Sequence, residues 1–414
     1  MRRRTMVSTV YVIAVLVFIS LFIFTNSGVA QDVRTLKVGS VLPLNFGMGV
    51  DTKKAMEMLA DEVNAQGGIT VKGQRYNIQL IIYDDKWTAE AGRAAMERLI
   101  YQDKVKHIVG TINLGTVVPA INLVEEEKVL HLFAAFTDKL LNPNLRYHFA
   151  MSTIMTSTAA VWTAAQKLWP NLKTVVFLAP NDEGGVLRVR EEKRVAEAHG
   201  VKVLDTLYYP RNTAVDFTPL GIKAMALNPD AVDYPGADTG TQLGLQIKAV
   251  HAAGFSGPQI SAINLKLDEI RAVTSDESLE NFLAKMPDTE LPSPPPIAKA
   301  FKDMYAKKYG KWSDACLAWL PSWYAFLAAI KKADTIDSTE IADMLATKGL
   351  EFQRIDGKSM MIKRPDKKMT KYCDVIAEVQ YGQIKSGKLV PSLRLTMDEV
   401  RSANEKVYGG GSWK

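Results

Sequence analysis

The sequence predicts an α/β protein of two doubly wound parallel-sheet lobes. Three observations carry that expectation. At 414 residues the chain is longer than one ordinary domain, and two lobes of roughly 150–200 residues are the prior. From Leu36 to Ala134, short apolar stretches alternate with helical ones, as βαβ units require. After the turn cluster Asn142-Pro143-Asn144 the alternation restarts and runs to Ala262.

In the first half, LKVGSVL (Leu36–Leu42) reads as a strand and PLNFGMGV as a loop with two glycines. Asp51 can cap a helix to about Ala65, with Ala55, Leu59 and Val63 on one face, stopped by Gln66-Gly67-Gly68. Val71-Lys72-Gly73 is a turn and Tyr76–Tyr83 a strand. Thr88 starts a helix to about Gln102; Lys106–Gly110 is a strand, Thr116–Glu127 a helix and Val129–Ala134 a strand.

The second half repeats this plan. Tyr147–Ser152 is extended and Thr153–Leu168 helical. Strands are expected at Thr174–Ala179, Val201–Tyr208, Ala231–Tyr234 and Gln259–Ala262, with helices at Val186–His199, Phe217–Leu227 and Thr241–Ala253 between them. Met286–Ile297 is a Pro-rich crossover, stiffened because proline fixes φ. Helices follow at Ala298–Tyr309, Ala315–Ala333 and Asp337–Ala346, the last capped near Ser338. Trp319, Trp323 and Tyr324 in the second of these read as packing on a sheet. Leu350–Leu395 is strand-like, and the tail GGGSWK reads as disordered.

The N-terminus is a separate signal. Arg2–Arg4 form a basic start, Val7–Phe24 is an apolar run without charge, and Gly28-Val29-Ala30 supplies small residues before Gln31. This is a secretory signal peptide, with an uncleaved inner-membrane anchor as the competing reading. Removing residues 1–30 takes three Arg and no acid, leaving 48 Lys+Arg against 45 Asp+Glu, so the basic balance gives no argument for nucleic acid. Export permits a bridge between Cys316 and Cys373; two buried thiols are the alternative.

No enzyme motif is present: no G-x-S-x-G, no Walker loop, no G-x-G-x-x-G after a strand and no H-E-x-x-H. His107, His131 and His199 read as structural or surface residues, no cofactor is implied, and neither the count nor the spacing of cysteines suggests a metal site. Asp84-Asp85 point to opposite faces of a strand, which favours a cap or turn role over a metal pair. What remains is a ring of strand-end loops: Pro43–Val50, Asp84–Trp87, Asn113–Thr116, Phe136–Asp138, Asn181–Gly185, Gly236–Gly240 and Asn264. In an open parallel sheet a ligand sits beyond the carboxyl ends of the strands. Asn113–Thr116 leads into a helix, whose N-terminus favours an anion such as a carboxylate, and Thr137 is placed to add a hydroxyl.

LKVGSVLPL, VNAQGGI followed by VKGQRYNIQLIIYDD, and HIVGTINLGTVVPAINLVEEEKV resemble the type I periplasmic solute-binding family, in particular the leucine/isoleucine/valine receptors of ABC importers. The resemblance covers about residues 34–390. It implies two lobes joined by three crossovers, with a cleft between them that closes on a small solute, and docking on an inner-membrane ABC permease. It implies lobe 1 at 31–147 plus about 288–355 and lobe 2 at 148–287 plus about 356–405, which leaves 406–414 as the tail read above as disordered. In the amino-acid receptors, consecutive serines at the Asn113–Thr116 loop hold the α-carboxylate; here Leu114 and Gly115 interrupt them, leaving Thr116. Thr137 matches the threonine on the amino-acid backbone, Gly184 replaces an aromatic, a second aromatic falls near Asp238, and the acid for the α-ammonium falls near Asn264. Phe46 and Met48 stand where the family has an aromatic. The expected ligand-binding set is Phe46, Met48, Asn113, Gly115, Thr116, Phe136, Thr137, Glu183, Asp238 and Asn264, with no catalytic residue. A membrane-anchored sensory module of the same fold is the alternative function, and an exported enzyme is the third.

Overall fold

The computed structural model describes residues 32–135, 139–151, 154–211, 213–236, 240–264 and 267–413. The expected signal peptide lies outside them, and among the described residues no helix is long and apolar enough to cross a membrane.

The first lobe begins with β1 (Val33–Leu42), α1 (Gly47–Ala65), the hairpin β2 (Ile69–Val71) and β3 (Gln74–Asp84), and α2 (Ala89–Glu97). It continues through β4 (His107–Val109), α3 (Leu114–Val117), α4 (Ile121–Glu126), β5 (Leu130–Phe133) and β6 (His148–Ala150). These strands form a sheet ordered β2-β3-β1-β4-β5-β6, parallel throughout except for β2. Helix α1 starts earlier than expected: Phe46 holds the N-cap position, and Asp51 instead accepts a hydrogen bond from Tyr305 Oη at 3.2 Å. The helix expected at 116–127 is broken into two, because Pro119 has no N–H to continue the ladder.

The second lobe runs through α5 (Ile154–Leu168), β7 (Thr174–Pro180), α6 (Glu183–Ala198), β8 (Lys202–Tyr209), α7 (Thr218–Ala226), β9 (Ala231–Asp233), α8 (Gly240–Ala252) and β10 (Gln259–Asn264). Two elements with no counterpart in the expectations follow, α9 (Leu267–Arg271) and β11 (Phe282–Lys285). Strand β7 shows why this sheet is covered on both faces. Val175, Phe177 and Ala179 enter one core, and Val176 and Leu178 enter another. A strand buried on both faces reads as the unbroken apolar run TVVFLA.

The chain then returns to the first lobe. Helices α10 (Pro296–Tyr309), α11 (Pro321–Ala333) and α12 (Ser338–Lys348) bury Phe301, Trp323 and Leu345 in the same core as β1 and β4. The N-cap of α12 is Asp337, which accepts from the amides of Thr339 and Glu340, while Ser338 Oγ donates to Lys128 O. Strands β12 (Glu351–Arg354), β13 (Gly357–Lys363) and β14 (Tyr372–Ala377) make a small antiparallel sheet. Its alternating side chains divide between the lobes: Met361 and Val375 belong to the first core, their neighbours Ile362 and Ile376 to the second. This sheet therefore ties the two cores together. β15 (Val379–Lys385), antiparallel to β11, and β16 (Lys388–Leu395), antiparallel to β15, complete the second sheet, giving the order β16-β15-β11-β10-β9-β7-β8.

The expectation of a disordered tail is corrected. α13 (Met397–Tyr408) packs on the second core, and Trp413 is fully buried beyond it. The Trp413 ring stacks on Tyr408, and its Nε1–H donates to Gly409 O. The burial of one large ring outweighs the flexibility of three glycines. Cys316 and Cys373 are free buried thiols.

Candidate functional site

With the β2 hairpin set aside, the parallel strands of the first sheet lie in the order second, first, third, fourth, fifth. The five parallel strands of the second sheet, β8-β7-β9-β10-β11, follow the same order. In each sheet the order reverses at one point, between β1 and β4 and between β7 and β9. The crevice outside the carboxyl ends at such a point is where α/β sheets bind ligands. The loops at 43–50 and 110–116 flank the first point; those at 181–185 and 234–240 flank the second.

Asp84 and Asp85 hold the first rim. Asp84 Oδ1 accepts from the amides of Leu44 (2.9 Å) and Lys86 (2.8 Å), tying the β1 loop to the end of β3. Asp85, fully buried, accepts from Trp87 N (2.9 Å) and from Thr116 Oγ (2.8 Å), tying β3 to the β4 loop. The cap or turn role expected of this pair is what the structure shows. Lys86 and Trp87 both take the left-handed conformation, at φ 50° and 58°. For residues with a Cβ that costs about 1–2 kcal/mol each, and such strain gathers at functional sites. Its result is an exposed Trp87 whose ring meets Phe46 edge-on at 5.4 Å. Met48 is half-buried on the first turn of α1.

In the Asn113–Thr116 loop several of the expected donors are already paired, while the buried Asn113 Nδ2 has no partner among the described residues. Asn113 Oδ1 accepts from Gly115 N, and Asn113 O accepts from the amides of Thr116 and Val117. The Thr116 hydroxyl is committed to Asp85, and its side chain lies so close to α2 that a Cβ on Gly92 would stand 2.1 Å from its Oγ. Thr116 therefore has a structural part in the rim, as the donor that joins the β4 loop to Asp85. Thr116→Val should cost about 1–3 kcal/mol in stability, because Asp85 then keeps a buried oxygen without its donor; urea unfolding measures this.

On the second rim Asp182 caps α6 by accepting from Gly185 N at 2.8 Å. Arg211 grips the same carboxylate and donates Nη1 to Gly236 O at 2.9 Å, joining the β7, β8 and β9 ends. That hydrogen-bonded guanidinium holds Asp182 below the usual carboxylate range. Glu183 opens α6, and Asn264 closes β10 in register with Lys285 of β11. Phe136, Thr137 and Asp238 lie outside the described residues.

Sequence reasoning missed a charged floor where the crossovers meet. A small recess of about 50 Å³, open to solvent at its mouth, is lined by residues that include Lys285, Asp288, Leu317, Arg354, Asp356 and Glu378. Arg394 clasps Asp288 with two 2.9 Å hydrogen bonds and reaches Glu378 at 3.6 Å. Nearby in the second lobe, buried Asp233 is raised well above the usual carboxylate range, first by burial and then by the Glu192 carboxyl. The members of this floor are scattered from Lys285 to Arg394, so no local motif announces them. The one sequence signal is a lysine ending an apolar strand immediately before the crossover.

This two-lobed geometry agrees with what the chain is similar to. The periplasmic binding protein family profile matches residues 36–385. The chain belongs to this family. The Leu/Ile/Val-binding protein of Escherichia coli (strain K12) is 25% identical over 343 residues, spanning 79% of this chain and 86% of that protein. The closed form of a leucine-, isoleucine-, valine-, threonine- and alanine-binding protein from Brucella ovis superposes with a TM-score of 0.72 at 20% identity, over 89% of this chain and 96% of that one. A solute binding protein of an ABC transporter from Rhodopseudomonas palustris BisB5, in complex with 3,4-dihydroxy benzoic acid, superposes with a TM-score of 0.69 at 18% identity, over 88% and 98%. The relatives are named for binding, as the lack of an enzyme motif led us to expect.

Proposed function

We propose that this chain is the periplasmic receptor of an ABC importer and captures a small amino-acid-like, carboxylate or amide solute between its lobes. The observation that carries this is the pair of topological switch points, one per lobe, in a chain of the periplasmic binding protein family. Hinge closure about the crossovers brings the rims onto the solute and presents the closed form to an inner-membrane permease. Phe46, Met48, Thr137, Asp238 and Asn264 are the proposed contacts. The ligands for which the relatives are named, branched-chain amino acids and an aromatic acid, mark the solutes to try first.

A thermal-shift screen of the mature protein tests this. A true solute stabilises by RT ln(1 + [L]/Kd), about 2.7 kcal/mol at one hundred times Kd. If no amino acid, aromatic acid or amide raises the melting temperature, the solute class is wrong. The length of the Val7–Phe24 run favours a second reading, a membrane-anchored sensory module of the same fold. The native N-terminal mass decides between them: Gln31 for the exported receptor, the intact leader for the anchored module.

A further inference from the structure

We propose that Lys285 and Arg354 form an anion subsite on the floor of the cleft that takes a carboxylate of the solute. The inference rests on the receptor reading above and narrows its solute to the acids.

Three observations converge on these two side chains. Lys285 ends β11 in register with Asn264, so it stands at the carboxyl edge of the second sheet, one strand spacing of about 4.8 Å from an expected contact. It lines the recess together with Arg354, which reaches it from the end of β12. Both carry donors without an acceptor among the described residues. Arg354 Nη2 is bonded to the carbonyls of Asp356 (3.0 Å) and Glu378 (3.3 Å), but its buried Nε–H has no partner. Lys285 Nζ makes no hydrogen bond and no ion pair within 4 Å there. For the buried Arg354 Nε–H that state costs free energy that an acceptor recovers, and beside it the half-buried Lys285 adds an uncommitted donor.

The charged groups around Lys285 come from both lobes' elements and the crossovers. Arg188 of α6 and Arg354 repel its ammonium, and Asp356 attracts it. Asp288 and Glu378 also line the recess, but both are engaged by Arg394. Burial first, then the two guanidinium groups, bring Lys285 down to about 7. A bound carboxylate opposes both effects and restores the full ammonium; a neutral carbonyl satisfies a donor without supplying the charge. The recess therefore favours an acid over its amide.

The test uses acid and amide pairs, benzoate with benzamide and leucine with leucinamide, titrated against the mature wild type, Lys285→Met and Lys285→Arg. We expect the wild type to prefer the acid at least about ten-fold, Lys285→Met to lose that preference while still binding the amide, and Lys285→Arg to restore it. The acid's affinity should also fall about ten-fold per pH unit above about 7 in the wild type, and not in Lys285→Met. An acid preference that survives Lys285→Met overturns the subsite and leaves the receptor reading standing. If no pair binds, NMR of lysine-labelled protein with excess acetate separates the two claims. A rise of the Lys285 titration midpoint in acetate supports the subsite while the receptor's solute class fails; no rise overturns the subsite as well.

Discussion

Replacing Arg364 with methionine is expected to lower the free energy of unfolding by roughly 3–5 kcal/mol, the range for breaking a buried ion pair by removing one partner. Its guanidinium is 1% exposed and fully committed. Nε and Nη2 hold the two oxygens of Asp366 at 2.9 Å each, and Nη1 holds Asp374 Oδ2 at 2.7 Å. Its flat face lies 4.6 Å from the Trp413 ring and 5.4 Å from that of Tyr408. The residue thus joins the small bridging sheet to the C-terminal helix and the tail. Without it Asp374, which burial already pushes up and Arg364 holds down, becomes an uncompensated carboxylate in the core. Urea unfolding of the variant measures the loss. In the double variant with Asp374→Asn the costs should sum to less than the two singles, because the second change removes the stranded charge. A loss below about 1 kcal/mol would mean that the cluster is accessible to water.

Acid is expected to destabilise the protein from about pH 6.5 downward, before most carboxylates titrate. His107 begins β4 and packs at 5.3 Å against Phe326 of α11. Burial takes it from the ordinary 6.5 down to about 4, and it lowers His131 and His148 as well. Between these values the unfolded chain binds protons that the folded chain excludes. Stability is therefore complete above about 6.5 and is lost as the pH falls toward about 4, by roughly 3 kcal/mol for His107 alone. The Glu125–His148 contact acts in the same direction, since Glu125 is held below its usual value by His148 and two backbone amides despite its burial. Denaturant midpoints measured from pH 7 to pH 4.5 test this, and His107→Leu should flatten the slope. A midpoint unchanged over that interval would contradict the neutral, buried state of these rings.

How far the sequence could be read follows from the range of the interactions involved. The βαβ alternation and its restart were legible because each strand carries its own burial pattern, as TVVFLA does. Thr88 was legible as a cap because its bond to Ala91 N is local. The break at Pro119 is equally local, since a proline without an N–H interrupts the helix ladder in which it falls. α9, β11 and the ordered tail were missed: β11 is a four-residue strand, and Trp413 is held by partners from Glu405 to Arg364. The rims were found through their small and polar residues, yet the use of Thr116 depended on Asp85, 31 positions earlier. The floor joins Lys285 to Arg354 and Asp356 only through the crossovers, and chain folding alone brings them together.

The central claim is that the two matching rims enclose one solute. The crystal structure of the native protein, purified with whatever it carries from the cell, tests this most directly. The account predicts difference density between the rims, touching the loops at 43–50 and 136–138 from one lobe and Asn264 or Lys285 from the other. Density confined to the outer face of one lobe, or rims that never share a ligand, would contradict it.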